Sequence, residues 1–278
     1  MKNLLSLMDL NKKDINNIFE VAAQMRRIVQ NNYKKGPQLI GSVVGGVWDS
    51  PCISSTAFNL AATYLSGSVC PVFGTEDKLE QCRLFDNMGV NAVVVSADND
   101  RLINSFASQS RCGVINGGSA MYDPIAVLAD LMALNSRLDG LQNLTVLAVG
   151  NKDSNRIDEL SYCLQQYGST MVWFLPREDY ATAHKGIVLD KAEAAFSGVD
   201  AVIDIGLTPF SNPASYYGSA GGIPEALMDK ARIHCPLLGC RTIADGIGVK
   251  DYQNNIVNTR DCCYVSIAMA VLYLMHRN

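Results

Sequence analysis

Residues 42–73 read SVVGGVWDSPCISSTAFNLAATYLSGSVCPVF, and this stretch decides the fold class. Residues 42–48 form a short apolar run that is typical of a buried strand, and residues 54–65 have the length and composition of a helix. Residues 69–73 are apolar again and predict a second strand. A strand, a helix and another strand in this order form a βαβ unit with parallel strands.

The same alternation extends in both directions from this unit. A helical stripe precedes it, formed by Ile15, Ile18, Phe19, Ala22 and Met25. The first series continues with strands at 92–95 and 113–116 and helices at 78–88, 101–108 and 124–138. A second series has strands at 144–149, 171–175 and 201–205, helices at 156–167, 191–196 and 224–232, and a closing helix at 262–275. We therefore predict an α/β protein with two parallel-sheet domains and a boundary near residues 139–140.

Composition narrows the classes of function. The formal net charge is −4, and the sequence contains no basic stripe, so we expect no nucleic-acid partner. Residues 1–14 lack the pattern of a signal peptide, and no apolar run is long enough to predict a membrane span, so we expect a cytoplasmic protein. The nine cysteines form no CxxC pair and the three histidines are widely separated, which predicts reduced thiols, no metal site and no cofactor.

Ligands of parallel α/β sheets bind at the carboxyl ends of the strands, beside the first turns of helices. Ser54, Ser55 and Thr56 follow the strand at 42–48 and begin the next helix. Their hydroxyl groups could bind an anion or a polar ligand there. They could equally be ordinary capping residues of the helix, which is the more common use of Ser and Thr at this position.

Five segments, in this order, resemble the aspartate and ornithine carbamoyltransferases over nearly the whole chain. The segments are LLSLMDL at 4–10, WDSPCISSTAF at 48–58, VINGGS at 114–119 with the following Asp123-Pro124, LQNLTVLAVGNKDSNR at 141–156, and the final helix. The resemblance implies a carbamoyl-phosphate-type domain at 1–138, on which a closing helix at 260–278 packs back. It also implies an amino-acid-binding-type domain at 139–259 and a homotrimer, or an oligomer with an active paralogue.

The chain departs from this family at the residues that bind phosphate. The family motif Ser-x-Arg-Thr-Arg corresponds to PCISS at 51–55, so both arginines are absent. SAD at 96–98 stands where a further arginine is usual, and DPIA at 123–126 replaces His-Pro-Thr-Gln. The lysine-bearing loop that a neighbouring subunit donates is shortened around 74–78. Each lost charged hydrogen bond costs about 1.5–3 kcal/mol, so we expect much weaker binding of carbamoyl phosphate.

Three charged residues are further candidates for ligand binding. Asp123 could bind an amine or a cation in the altered site, or it could only cap the helix that begins at Pro124. Arg156 corresponds to the family position that contacts the carboxylate of the amino-acid substrate, and the alternative is a salt bridge. Arg241 corresponds to the family's late arginine, but LLGCR at 237–241 has otherwise lost that motif, which favours a structural role.

These departures support a hypothesis and two alternatives. The leading hypothesis is a carbamoyltransferase-like protein without carbamoyl transfer, acting as a regulatory or structural partner or as a binder of an amino-acid-like small molecule. The first alternative is a repurposed enzyme that uses Asp49, Cys52, Tyr122 or Asp123 for different chemistry. Cys52 precedes a helix, where a thiolate can be stabilised, although an unreactive thiol is the more common case. The second alternative is an active transferase with unusual phosphate ligands, such as Arg83 or Arg101.

Overall fold

The computed structural model describes residues 1–150, 156–174, 187–188, 191–204, 223, 225–238 and 253–277, with backbone alone at 187, 188 and 225. The chain divides into two compact units, the first formed by Met1–Ala129 with Asp261–Asn278 and the second by Asp130–Arg260. The chain therefore passes between units within two helices, after Ala129 and after Arg260. The assignment of separate functions to 1–138 and 139–259 stays a prediction.

Unit 1 is built around a four-stranded parallel sheet with the strand order β2-β1-β3-β4. Its strands are β1 (Val43–Trp48), β2 (Ser68–Phe73), β3 (Ala92–Ala97) and β4 (Gly113–Ser119). Its helices are a 3-10 turn at Leu7–Asp9, α1 (Lys12–Gln30), α2 (Ile53–Tyr64), α3 (Lys78–Asn87) and α4 (Asp100–Gln109). α5 (Pro124–Leu138) starts in this unit and continues into the other.

Helix α1 shows how the sequence sets these elements. Asn11 caps it, because the Asn11 side chain accepts hydrogen bonds from the backbone N–H groups of Lys13 and Asp14. The predicted apolar stripe is confirmed, since its five residues are all buried. Before this helix, the Leu4 N–H donates to the Val114 carbonyl at 2.9 Å, so the N-terminal segment runs beside β4.

Unit 2 contains a five-stranded parallel sheet with the strand order β7-β6-β5-β8-β9. Its strands are β5 (Thr145–Val149), β6 (Thr170–Phe174), β7 (Ile187–Val188), β8 (Ala201–Asp204) and β9 (Leu237–Leu238). Its helices are α6 (Ile157–Gln166), α7 (Ala192–Phe196) and α8 (Glu225–Met228), and α9 (Val257–His276) returns the chain to unit 1.

The two sheets confirm the predicted fold class of two parallel-sheet α/β domains. The interior strands β3 and β5 are apolar and buried along most of their length, as expected for a parallel sheet covered on both faces. The edge strand β2 differs, because four of its six residues are exposed. Among the described helices, none is long and apolar enough to cross a membrane.

Candidate functional site

The start of α2 lies immediately beyond the carboxyl end of β1. Four residues, Asp49 to Cys52, separate the strand from the helix, and Cys52 has extended backbone at the N-cap position (φ −146°, ψ 179°). Ile53 is the first residue of the helix, and its side chain is 38% exposed. A helix start in this position offers backbone N–H groups to an anion, but here the accompanying side chain is apolar.

Ser54 points into the protein rather than towards solvent. It is 3% exposed, and its Oγ accepts a hydrogen bond from Nε1 of Trp48 at 3.3 Å. β4 comes close at this point, since a Cβ added to Gly117 would lie 3.2 Å from the Ser54 Oγ and 2.9 Å from Cγ1 of Val94. The hydroxyl therefore satisfies a buried indole N–H at a tightly packed place between strands and helix.

Ser55 caps its own helix. Its Oγ accepts the Cys52 N–H at 2.9 Å and donates to the Cys52 carbonyl at 3.0 Å, and the residue is 2% exposed. Thr56, by contrast, is exposed. The contacts of Ser55 therefore support the capping interpretation. An anion-binding role of the three hydroxyl residues stays a prediction. Cys52 is an exposed free thiol.

Asp49 forms an ion pair that the sequence analysis missed. Its Oδ2 lies 2.7 Å from Nζ of Lys78, and the side chains of Lys78 and Asp49 are 13% and 61% exposed respectively. The proximity of these two residues could have been inferred from the order of the strands. Asp49 follows β1, Lys78 begins the helix after β2, and β1 and β2 are neighbours in the sheet. A cation therefore lies near the start of α2, paired with a carboxylate of the same chain.

The segment after β4 is held by a network around Ser119. The Ser119 Oγ donates to a carboxylate oxygen of Asp100 and receives hydrogen bonds from Nδ2 of Asn116 at 3.0 Å and from the Tyr122 N–H at 3.2 Å. The other oxygen of Asp100 accepts the Met121 N–H at 3.2 Å. Tyr122 thus lies in an ordered turn, and Asp100, the first residue of α4, is a hydrogen-bond partner of this turn that sequence reasoning did not select.

Asp123 has the contact expected of a helix cap. Its Oδ1 accepts the Ala126 N–H at 3.1 Å at the start of α5, where Pro124 occupies the first position. Gly118 has φ +116°, and a Cβ there would lie 3.8 Å from the other carboxylate oxygen of Asp123. The capping alternative is therefore observed, while cation binding by Asp123 stays a prediction.

In unit 2, Arg156 belongs to a buried cluster of charges. Nη1 of Arg156 lies 2.8 Å from Oδ2 of Asp130, and Nε of Arg260 lies 2.7 Å from Oδ1 of the same carboxylate. Asp130 is 2% exposed. The salt-bridge alternative for Arg156 thus has an observed partner, and this contact does not decide whether Arg156 also binds a ligand.

Two alternative sources of phosphate-binding charge can be located in unit 1. Arg83 lines a groove of about 200 Å³ between α3 and α4, and its Nη1 lies 3.9 Å from Oε2 of Glu80. Arg101 is exposed in the first turn of α4. Arg241 lies outside the described residues, so its predicted role stays a prediction.

Two buried thiols of unit 1, Cys82 and Cys112, are poorly suited to act as nucleophiles. Burial raises the pKa of Cys82 to about 12 and that of Cys112 to about 11, which keeps both thiols protonated near neutral pH. Within the described part of the chain, no group of three or more His, Cys, Asp and Glu residues could hold a metal ion.

With this geometry established, comparison with known proteins is informative. Residues 2–136 match the family model "Aspartate/ornithine carbamoyltransferase, carbamoyl-P binding domain". This chain is carbamoyltransferase-like. The match covers the segments at 4–10, 48–58 and 114–119 that carry the resemblance, and together with the relatives below it supports a likeness to the aspartate/ornithine carbamoyltransferase family.

Relatives extend the likeness over the whole carbamoyltransferase-like chain. The aspartate carbamoyltransferase catalytic subunit of Carboxydothermus hydrogenoformans is 28% identical over 99% of this chain and 96% of the relative. That of Caldicellulosiruptor bescii is 24% identical over 100% of this chain and 98% of the relative. The structure of ornithine carbamoyltransferase from Thermus thermophilus matches with a TM-score of 0.84 at 17% identity and covers 99% of both chains, which shows the fold.

Proposed function

We propose that this carbamoyltransferase-like protein does not transfer a carbamoyl group from carbamoyl phosphate and acts as a non-catalytic subunit with an amino-acid-type subsite. In this proposal, residues 1–138 and 260–278 correspond to the phosphate-type domain, and residues 139–259 hold the subsite at Arg156. Its partners are copies of itself in a homotrimer, or an active paralogue, in the cytoplasm. The proposal departs from the relatives, which are named as catalytic subunits.

The observation that carries the proposal is the chemistry of the first turn of α2. The first helical position is held by Ile53, and the hydroxyl groups of Ser54 and Ser55 already have partners within the protein. A phosphate dianion is bound strongly where forked, charged donors surround it. Backbone N–H groups alone supply a weaker, partial charge, so this helix start is poorly equipped for carbamoyl phosphate.

The nearby charges support the same proposal. Lys78 could attract an anion, but it lies 2.7 Å from the carboxylate of Asp49. An anion that approaches Lys78 must compete with this carboxylate and is repelled by it. The pair therefore contributes little net positive charge to the start of α2.

The surface around β2 supports a role within an assembly. β2 is the outer strand of its sheet, and Phe73, Ile53 and Leu60 are 41%, 38% and 36% exposed on β2 and α2. An outer strand with exposed apolar neighbours is a surface on which another chain can pack. The words "catalytic subunit" in the names of the relatives are consistent with a subunit role for this chain.

Calorimetric titration with carbamoyl phosphate, followed by L-aspartate and L-ornithine, tests the proposal. We expect no micromolar binding of carbamoyl phosphate, no carbamoyl product in a transfer assay, and binding of an amino acid that Arg156→Gln abolishes. An authentic aspartate carbamoyltransferase run in parallel controls the assay. Robust transfer by the purified chain would contradict the proposal.

An active transferase with unusual phosphate ligands is the second candidate, favoured by the position of Lys78 and by the names of the relatives. In that case Lys78→Met should abolish transfer, while Asp49→Asn should raise the affinity for carbamoyl phosphate by removing a competing carboxylate. If neither the unmodified chain nor these two variants transfers the carbamoyl group, this candidate is excluded.

A further inference from the structure

Asp130 connects three separate parts of unit 2. It lies on α5, its partner Arg156 is the residue before α6, and its other partner Arg260 lies in the first turn of α9. Each arginine takes a different oxygen of the same carboxylate, at 2.8 Å and 2.7 Å. A carboxylate whose side chain is only 3% exposed requires such partners, because an unpaired charge in this position is strongly unfavourable.

A second contact on the same face of α5 strengthens this connection. Nη2 of Arg137 donates to Oδ1 of Asn254 at 2.8 Å. Residues 130 and 137 are seven positions apart, which places them on one face of a helix. The segment that leads into α9 is thus attached along the second half of α5, near the two places where the chain passes between units.

A backbone hydrogen bond of Arg156 allows the position of this residue to be followed by experiment. Its carbonyl accepts the Leu160 N–H at 2.9 Å and so forms the first hydrogen bond of α6. A displacement of Arg156 changes this hydrogen bond as well as the guanidinium contact with Asp130. The Leu160 amide and the Arg156 guanidinium therefore report the backbone and the side chain of the same residue.

From these contacts we infer that Asp130 and Arg260 are positioning residues, which hold the guanidinium of Arg156 in the orientation used to bind a ligand carboxylate. Arg260 does so through Asp130 rather than by direct contact with Arg156. The ligand class rests on the proposed function, whereas the positioning itself can be tested without a ligand. A guanidinium held by a buried carboxylate keeps its planar fork in one orientation, which favours carboxylates over ligands of other shapes.

Arg260→Gln in the full chain is the decisive variant, because it leaves Asp130 and Arg156 in place. Arg232→Gln is the matched control. Arg232 lies in the same unit, but its ion-pair partner is Asp200 rather than Asp130. Arg260→Lys is the conservative variant that should restore part of the effect by keeping the charge. Asp130→Asn is a second test of the same cluster.

Hydrogen exchange at Leu160 and the NMR signal of the Arg156 Nε–H, assigned with Arg156→Lys, are the two readouts. We expect Arg260→Gln to accelerate exchange at Leu160 about tenfold or more, and to shift the Arg156 signal, with no such change in Arg232→Gln. An Arg156 signal that is identical in Arg260→Gln and the unmodified chain would overturn the inference, even if α9 itself were loosened.

L-aspartate and L-ornithine are then titrated while the same Arg156 signal is followed. If one of them binds, Arg260→Gln should weaken its affinity at least about tenfold, and an unchanged affinity would overturn the inference. If neither binds the unmodified chain, the proposed amino-acid subsite fails. The exchange and NMR results then still decide whether Asp130 and Arg260 position Arg156, so the two failures are distinguishable.

Discussion

The first turns of α2 and α6 occupy corresponding places in their units, each following a central strand of a parallel sheet. At α2 the first helical residue, Ile53, is apolar, and the hydroxyls of Ser54 and Ser55 are already bonded within the protein. At α6 an arginine precedes the helix and is held by a buried carboxylate. The two units therefore share one architecture, but an arginine precedes α6 whereas the apolar Ile53 begins α2.

This contrast shows that the fold fixes the place where a ligand could bind but does not fix which ligand binds there. A parallel sheet brings helix starts to its carboxyl edge regardless of which side chains are there. The charge and orientation of those side chains decide what is bound. Unit 1 thus has a helix start whose first turn carries no charged side chain, and unit 2 has a helix start that is preceded by an arginine.

The largest expected effect is at the charged cluster of unit 2. Asp130→Asn removes the counter-charge of two largely buried guanidinium groups, and we expect a loss of about 3–5 kcal/mol in the free energy of unfolding. Denaturant unfolding measures it. Glu80→Gln, which alters an exposed pair at 3.9 Å, is the control and should change stability by less than about 1 kcal/mol. Equal losses of unfolding free energy in the two variants would show that the buried cluster stabilises the protein no more than an exposed ion pair does.

A smaller effect is expected when charge is restored at α2. Ile53→Arg introduces a guanidinium at the first helical position and should strengthen the binding of inorganic phosphate at least about tenfold, as one charged hydrogen bond provides. Leu60→Arg adds the same charge farther along the helix, at a residue that is 36% exposed, and should have little effect. If both variants gain equally, net charge rather than the helix start governs the binding.

The inward orientation of Ser54 predicts a third effect. Ser54→Ala leaves the buried Trp48 N–H without its acceptor and should cost about 1–3 kcal/mol of stability. Thr56→Ala, at an exposed position two residues later, should change stability by less than about 0.5 kcal/mol. Urea denaturation compares the two variants. A larger effect at Thr56 would contradict the assignment of Ser54 as an internal hydrogen-bond acceptor.

The smallest effect near neutral pH comes from Cys82, because the ionisation of this buried thiol affects stability only at alkaline pH. The pKa of Cys82 is raised from 9.0 to about 12, so its native form binds a proton that the unfolded chain releases. The contribution of this thiol to the free energy of unfolding is therefore fully present below about pH 9. It is lost between about pH 9 and pH 12, by at most about 1.4 kcal/mol per pH unit. Cys82→Ala should reduce this decline, whereas Cys70→Ala, at an exposed thiol, should not.

The sequence predicted the fold well because its signals are local. Short apolar runs and an apolar helical stripe identify strands and a helix before any contact is known, and both sheets are parallel as expected. Capping by Asn11 is likewise encoded within a few residues. β7, with two residues beside β6, was not predicted, because a strand of this length has no recognisable alternation.

The candidate site was predicted less completely, because its contacts join residues far apart in the chain. The pairing of Arg156 with Asp130 spans 26 positions and that of Arg260 with Asp130 spans 130. Neither partner follows from the sequence around Arg156. Similarly, the sequence placed Ser54 at a helix start but could not show that its hydroxyl faces Trp48, since that orientation depends on how closely β4 approaches.

The division of the chain also has a consequence for synthesis on the ribosome. Unit 2 is continuous in sequence, whereas unit 1 needs the segment Asp261–Asn278 from the end of the chain. In that segment Cys263, Tyr264 and Ile267 are almost completely buried. Unit 1 therefore cannot complete its core until the segment that follows unit 2 has been synthesised, so part of that core stays uncovered while unit 2 is being made.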